Sequence, residues 1–193
     1  MNVVIIKYNA GNVYSVSSAL QRLGVEPTLS DDPAKIKNAD KVIFPGVGEA
    51  RTARNYLDKQ NLSDLLVSLK QPVLGICLCL QLFCQQLEEN DTKGLNIFET
   101  RVKKFPATDK VPHMGWNALW DLKGPLFSNV DEGSYVYFVH SFFAEIDENT
   151  IAKTDYSAKF SAALQKDNFY ALQFHPEKSA KVGAQILKNF LSL

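Results

Sequence analysis

Residues 72–83 read PVLGICLCLQLF. Residues 73–76 form a short apolar run of the kind expected of a strand covered on both faces. The run turns straight into a second apolar pattern, which predicts a helix through Leu87. Outward from this stretch the same alternation recurs. Residues 3–6 (VVII) are a continuous apolar run, followed by Val13, Val16, Leu20 and Leu23 at helical spacing until Gly24. Residues 42–44 are followed by Tyr56, Leu62, Leu65, Leu66 and Leu69 on a helical stretch. Strand and helix in turn are the signature of a parallel sheet with crossover helices. From residue 94 to 174 the pattern becomes short apolar runs, including 135–143 and 169–174, separated by turn-rich FPATDKVP and DLKGPLFSNVDEGS. This half reads as mostly β. Val182, Ile186, Leu187, Phe190 and Leu191 then mark one face of a closing helix. The expectation is an α/β fold in one domain, residues 1–193. Its sheet is mostly parallel and flanked by helices, with extra antiparallel strands in the second half.

The chain has 193 residues, and a chain of that size buries roughly 70% of the surface it exposes when unfolded, so it needs no disulfides to hold a core. Lys plus Arg number 21, as do Asp plus Glu. No net field therefore draws it to nucleic acid or an anionic membrane. Its most apolar stretch, 72–83, is too short to span a bilayer of about 30 Å and carries Gln81. The start has a four-residue apolar run with Lys7 behind it and no basic leader, so it reads as a first strand rather than a signal peptide. The three cysteines crowd into residues 77–84, a poor disulfide framework that fits reduced thiols and a cytosolic address.

A strand that turns directly into a helix places the turn residue at the helix N-terminus, where unpaired N–H groups and the dipole favour an anion. Cys77 occupies that turn. A thiolate there is stabilised, and the Leu78 amide points toward an oxyanion forming on a substrate carbonyl, as in a nucleophile elbow. Gly75 relieves the crowding on one side. Buried filler is the competing reading, since free cysteine is among the most buried residue types. It suits Cys84 and Cys79, the latter about 200° around the helix from Cys77 and so facing the packing side. A metal site built from all three is not expected, because Cys-x-Cys-x4-Cys lacks a nearby fourth ligand.

Three histidines are present, His113, His140 and His175. In FYALQFHPE, Pro176 holds His175 extended at the end of a strand, and Glu177 is close enough to accept Nδ1–H and fix the tautomer in which Nε2 takes a thiol proton. A loop histidine beside a surface glutamate is the alternative. PGVG, residues 45–48, follows the strand at 42–44, and its glycines let peptide groups turn toward a ligand at the carboxyl end of the sheet. It lacks the lysine and Ser/Thr of a phosphate loop, so no nucleotide site and no cofactor are expected. His113 and His140 read as packing residues.

Gly75-x-Cys77 with Gln81, the His175-Pro176-Glu177 tail and PGVG together resemble the class I glutamine amidotransferases. Within that family YNAGN (8–12), PHMGWN (112–117), YFVHS (137–141) and QFHPEKS (173–179) are similar to the glutaminase subunits of imidazole glycerol phosphate synthases. The resemblance implies a flavodoxin-like fold and hydrolysis of glutamine to glutamate and ammonia. It also implies ammonia delivery to a (β/α)8-barrel cyclase subunit in a heterodimer, for histidine biosynthesis. It assigns Cys77 as nucleophile, His175 as general base and acid, and Glu177 as its orienter. Val47 and Leu78 would supply oxyanion amides, and Gly46, Gln81, Glu89 and the backbone at Ser141 would hold glutamine. Asn12, Trp116, Asn117, Tyr137 and Lys178 would lie toward the partner. The chain length leaves no room for an ammonia-accepting domain, so the acceptor is expected on another chain. Other readings are a glutaminase serving a different synthase, or a binding protein without catalysis. One departure stands out: Cys79 replaces the glycine usual in Gly-x-Cys-x-Gly. The expectation is that this small residue faces away from the cleft and is tolerated.

Overall fold

The computed structural model describes residues 1–8 and 13–193. Strands β1 (Val3–Ile6), β2 (Thr28–Ser30), β3 (Lys41–Gly46) and β4 (Val73–Cys77) alternate with helices α1 (Val13–Arg22), α2 (Pro33–Lys37), α3 (Ala50–Lys59) and α4 (Leu62–Ser68). Helix α5 (Leu78–Phe83) follows β4 without a connecting loop. The second half contributes β5 (Gln86–Leu87), β6 (Thr92–Lys93), β7 (Arg101–Lys104), β8 (His113–Ala118), β9 (Tyr135–His140) and β10 (Phe142–Ala144). It ends with β11 (Thr150–Asp155), β12 (Lys159–Lys166), β13 (Phe169–Leu172) and α6 (Ala180–Leu191).

The main sheet runs β11-β12-β13-β4-β3-β1-β2. Its β13-β4-β3-β1-β2 part is parallel, while β12 and β11 add antiparallel at one edge. Alternate residues of the apolar runs serve opposite faces, as a period of two requires. Val4, Ile6, Val42 and Phe44 pack with Ile36, Leu57, Leu62 and Leu66. Val3, Ile5, Ile43, Leu74 and Ile76 pack with Val16, Leu20, Ile186, Leu187 and Phe190 on the other side. Covering both faces explains why these strands read as unbroken apolar runs.

Two expected helices are corrected. The apolar pattern from Leu78 does not stay helical to Leu87: Cys84 is extended (φ −71°, ψ 172°), and Gln86–Leu87 is a strand. The carbonyls left at the helix end are taken by a distant segment. Leu82 O accepts from Leu95 N, Phe83 O from Ile97 N and Phe98 N, and Cys84 O from Asn96 N. The approach is so close that a Cβ on Gly94 would sit 1.8 Å from Cys84 O. The stretch from Tyr56 to Leu69 is two helices, because Asn61 adopts the left-handed conformation (φ 55°, ψ 29°) between them.

Beyond the main sheet, β10-β7-β5-β6 form a four-stranded sheet and β8-β9 a hairpin. No helix among the described residues is long and apolar enough to cross a membrane.

Candidate active site

The register of the parallel strands builds the site. Gly46 pairs with Cys77 across β3 and β4, and Leu172 pairs with Ile76 across β13 and β4. The carboxyl ends of three neighbouring strands therefore deliver the PGVG turn, Cys77 and the 173–177 segment to one rim. Cys77 carries the strain of the elbow, with φ 55° and ψ −108°, a conformation costly for a residue with a Cβ. Leu78 begins α5, so its N–H has no partner within the helix. Gly75 is required by packing, since a Cβ there would lie 2.7 Å from the Phe83 ring.

His175 is 2% exposed and extended (φ −96°, ψ 98°). Its Nδ1 is 2.8 Å from Glu177 Oε1, and both side chains are buried. Its main chain is clamped to β9: His175 N donates to Tyr137 O at 2.9 Å, Ser179 Oγ donates to His175 O at 2.7 Å, and Tyr137 N donates to Ser179 Oγ at 2.9 Å. Burial disfavours a charged ring. Hydrogen bonds to Cys77 and Glu177, and their negative charge, outweigh it and push the imidazole up to about 10. The electrostatics thus favour a charged imidazole, with Glu177 accepting its Nδ1 proton.

A cavity of about 290 Å³ opens over this group, bounded by Val47, Gly48, Cys77, Leu78, Gln81 and Glu89 and, across from them, residues 139–142 and His175. Gln81 Nε2 donates to Phe142 O at 2.9 Å. Glu89 Oε2 accepts from Ala50 N at 2.8 Å, and burial raises its carboxyl against that bond. Ser141 reaches the cavity, with its carbonyl occupied by Phe105 N–H. Gly46 lies beneath: a Cβ there would sit 2.5 Å from Cys79 Sγ and 2.7 Å from Cys79 N. Cys79 is fully buried on the packing side, where burial holds its thiol well above the ordinary range. Among the described residues no group of three or more His, Cys, Asp and Glu side chains could hold a metal ion.

A family model described as "Glutamine amidotransferase class-I" matches residues 4–193. The chain belongs to the class I glutamine amidotransferases. This amidotransferase is 53% identical over 196 residues, all of both chains, to "Imidazole glycerol phosphate synthase subunit HisH" of Bacteroides thetaiotaomicron. It is 46% identical over 198 residues, again all of both chains, to the protein of that name from Yersinia pseudotuberculosis. The Shewanella loihica protein is 44% identical over 203 residues, covering 100% of this chain and 91% of the relative. Among solved structures, a putative GMP synthase protein from Thermoplasma acidophilum aligns with a TM-score of 0.76 at 18% identity, over 100% of this chain and 93% of the other. A second, described as a glutamine amidotransferase, gives 0.77 at 17% identity over 99% and 98%. These two likenesses show the shared fold.

The remaining expected residues of the amidotransferase are one group of three, Asn117 by itself, and Asn12. Trp116 and Tyr137 meet edge to face at 6.1 Å on β8-β9, and Lys178, from the turn before α6, brings Nζ to 5.9 Å from the Tyr137 ring. Asn117 turns inward, its Nδ2 donating to Asp155 O at 2.9 Å and lying 3.3 Å from His113 Nε2. Asn12 lies outside the described residues.

His113 and His140 are buried packing residues that also bond to each other, Nδ1 to Nε2 at 3.0 Å, and His140 Nδ1 is 2.7 Å from Phe142 O. Because that carbonyl only accepts, His140 carries its proton on Nδ1, and His113 must donate from its own Nδ1. Burial lowers His113 to about 4; burial, with the charges of His113 and His175, lowers His140 to about 3 against the Phe142 bond.

Two residues near the reacting centre were not singled out from sequence. Tyr8 Oη donates to Val47 O at 2.6 Å and accepts from Val47 N at 3.1 Å. Gln173, fully buried, contacts both Gln81 and Cys77. Their signal in the sequence is their place at the start of YNAGN and QFHPEKS, which by itself assigns them no partner.

Proposed function

We propose that this chain is the glutaminase subunit of an imidazole glycerol phosphate synthase, working in the cytosol as a single domain beside a (β/α)8-barrel cyclase subunit. The observation that supports this best is a buried imidazole 2.8 Å from Glu177, lining the same cavity as the strained Cys77. Full-length identity of 44–53% to relatives bearing the synthase-subunit name supports the choice of acceptor.

In the proposed reaction Cys77 Sγ attacks the side-chain amide carbon of glutamine. Charge develops on the amide oxygen, toward the Leu78 N–H. As the intermediate collapses, His175 gives its proton to the departing nitrogen, which leaves as ammonia, and a γ-glutamyl thioester remains. His175 then takes a proton from water, which attacks the thioester and releases glutamate. Gln81, Glu89 and Ser141 hold glutamine, with Gly46 setting the close packing beneath Val47 and Gly48.

The Val47 N–H is bonded to Tyr8, so completing the oxyanion hole requires the Gly46–Val47 peptide to turn. That rearrangement couples turnover to the partner, which docks against Trp116, Tyr137 and Lys178. The ammonia then passes to the cyclase, which forms imidazole glycerol phosphate and an aminoimidazole carboxamide ribonucleotide.

The test is glutamine hydrolysis by the chain alone, with a cognate cyclase, and with cyclase plus its ribonucleotide ligand. Turnover should rise at each addition. Equal rates in all three would overturn the coupling and the choice of partner.

A further inference from the structure

Gln173 follows directly on β13, two residues before His175, with no exposed surface. An amide buried so completely must be hydrogen-bonded. Its main-chain N–H donates to Ala162 O at 2.8 Å. Its side chain spans the gap between two residues of the candidate site: Oε1 accepts from Gln81 Nε2 at 3.1 Å, and Nε2 approaches Cys77 Sγ at 3.8 Å.

The direction of this chain is dictated at its far end. Gln81 Nε2 also donates to Phe142 O at 2.9 Å, an atom that only accepts. Gln81 therefore offers its N–H groups to Gln173, which must answer with its oxygen. The Gln173 NH2 is left facing sulfur.

We infer that Gln173 belongs to the reacting centre: its Nε2–H, oriented by Gln81 and through it by the Phe142 carbonyl, stabilises the Cys77 thiolate. The inference rests on Cys77 being the nucleophile. His175 supplies a cation to the sulfur and Gln173 a neutral donor. An N–H aimed at an anion forms a charge-assisted bond that weakens once the sulfur is acylated or protonated. The same donor acts twice in a turnover. It raises the thiolate fraction before attack, and it eases departure of sulfur as a thiolate when water cleaves the thioester.

The experiment is the pH dependence of Cys77 alkylation by iodoacetamide in the full chain, read by mass spectrometry of the Cys77 peptide, with Cys77→Ala as background. Gln173→Met keeps the length of the side chain and removes the donor. Its alkylation midpoint should rise by about one pH unit, giving about tenfold slower labelling below the midpoint, the size of one charge-assisted hydrogen bond. Gln173→Glu, which aims an acceptor at the sulfur, should raise it further.

Circular dichroism establishes that each variant is folded. If neither folds, Gln81→Met decides: it leaves Gln173 in place but unanchored, and a smaller rise is expected. An unchanged midpoint in the folded variants overturns the inference. Absence of Cys77 labelling in the wild type at every pH would instead remove the nucleophile reading on which it stands.

Discussion

Replacing Tyr8 by Phe tests whether the resting structure holds its oxyanion donor away from the substrate. The Tyr8 hydroxyl brackets one residue, donating to Val47 O at 2.6 Å and accepting from Val47 N at 3.1 Å. Burial, with Cys79 and then Cys77 nearby, raises the phenol despite its bond to Val47, so it remains a neutral O–H able to do both. The ring packs edge-on to Phe44 at 5.6 Å and against Tyr56 at 6.1 Å, contacts that Tyr8→Phe retains. Two neutral hydrogen bonds contribute about 1–3 kcal/mol net. Removing them shifts the Val47 peptide toward the cleft-facing orientation by roughly 5- to 150-fold. The ceiling is the roughly 10²–10³ that one oxyanion donor contributes. Glutamine hydrolysis by the isolated variant, followed as glutamate release, should therefore rise about tenfold, while the rate in the complex changes by less than about threefold. A basal rate that is unchanged or lower would refute the reasoning, because Tyr8 would then be supporting Val47 rather than restraining it.

Glu177→Gln removes the carboxylate that favours the charged His175 ring; turnover with the partner should fall by about 10²–10⁴, and a fall under threefold would show that Glu177 does not orient the base. Cys79→Gly should leave partner-activated turnover within about threefold and lower stability by about 1–2 kcal/mol, read from the urea midpoint, because the thiol fills packed space away from the cavity. Gly46→Ala should be far more damaging, and Cys79→Gly should not rescue it, since the new Cβ would still meet Cys79 N at 2.7 Å and Leu78 Cβ at 2.9 Å. Burial holds His113 near 4 and His140 near 3, below the unfolded value of about 6.5, so the unfolded chain binds more protons across that interval. Their stabilising contribution is present above pH 6.5 and is lost as pH falls toward 4, by about 1.4 kcal/mol per pH unit for each ring. Urea midpoints across this range should show the decline, and His113→Gln, which keeps a donor for His140, should flatten it by about half.

The strands at 3–6, 42–44 and 73–76 were legible because both of their faces are buried, which writes an uninterrupted apolar run into the sequence. The place of Cys77 at a strand-to-helix turn was legible because a helix that starts where a strand stops has a defined geometry at the junction. The end of α5 was not, because it is set by backbone hydrogen bonds from residues 95–98, which leave no periodic trace. Gly94 was the only local sign. Gln173 escaped notice since an amide in an apolar strand acquires meaning only when Gln81 and Cys77, distant in the chain, close around it. Tyr8 escaped for the same reason: its partner Val47 is brought near it by the pairing of β1 with β3.

The most direct test of the account is acid quenching during glutamine turnover by the chain assembled with its cyclase, with mass spectrometry of the Cys77 peptide and a parallel assay of Cys77→Ala. A γ-glutamyl adduct on Cys77, with no glutamate formed by the variant, is the expected result. Glutamate release by Cys77→Ala at the wild-type rate would contradict the claim that this sulfur carries the reaction.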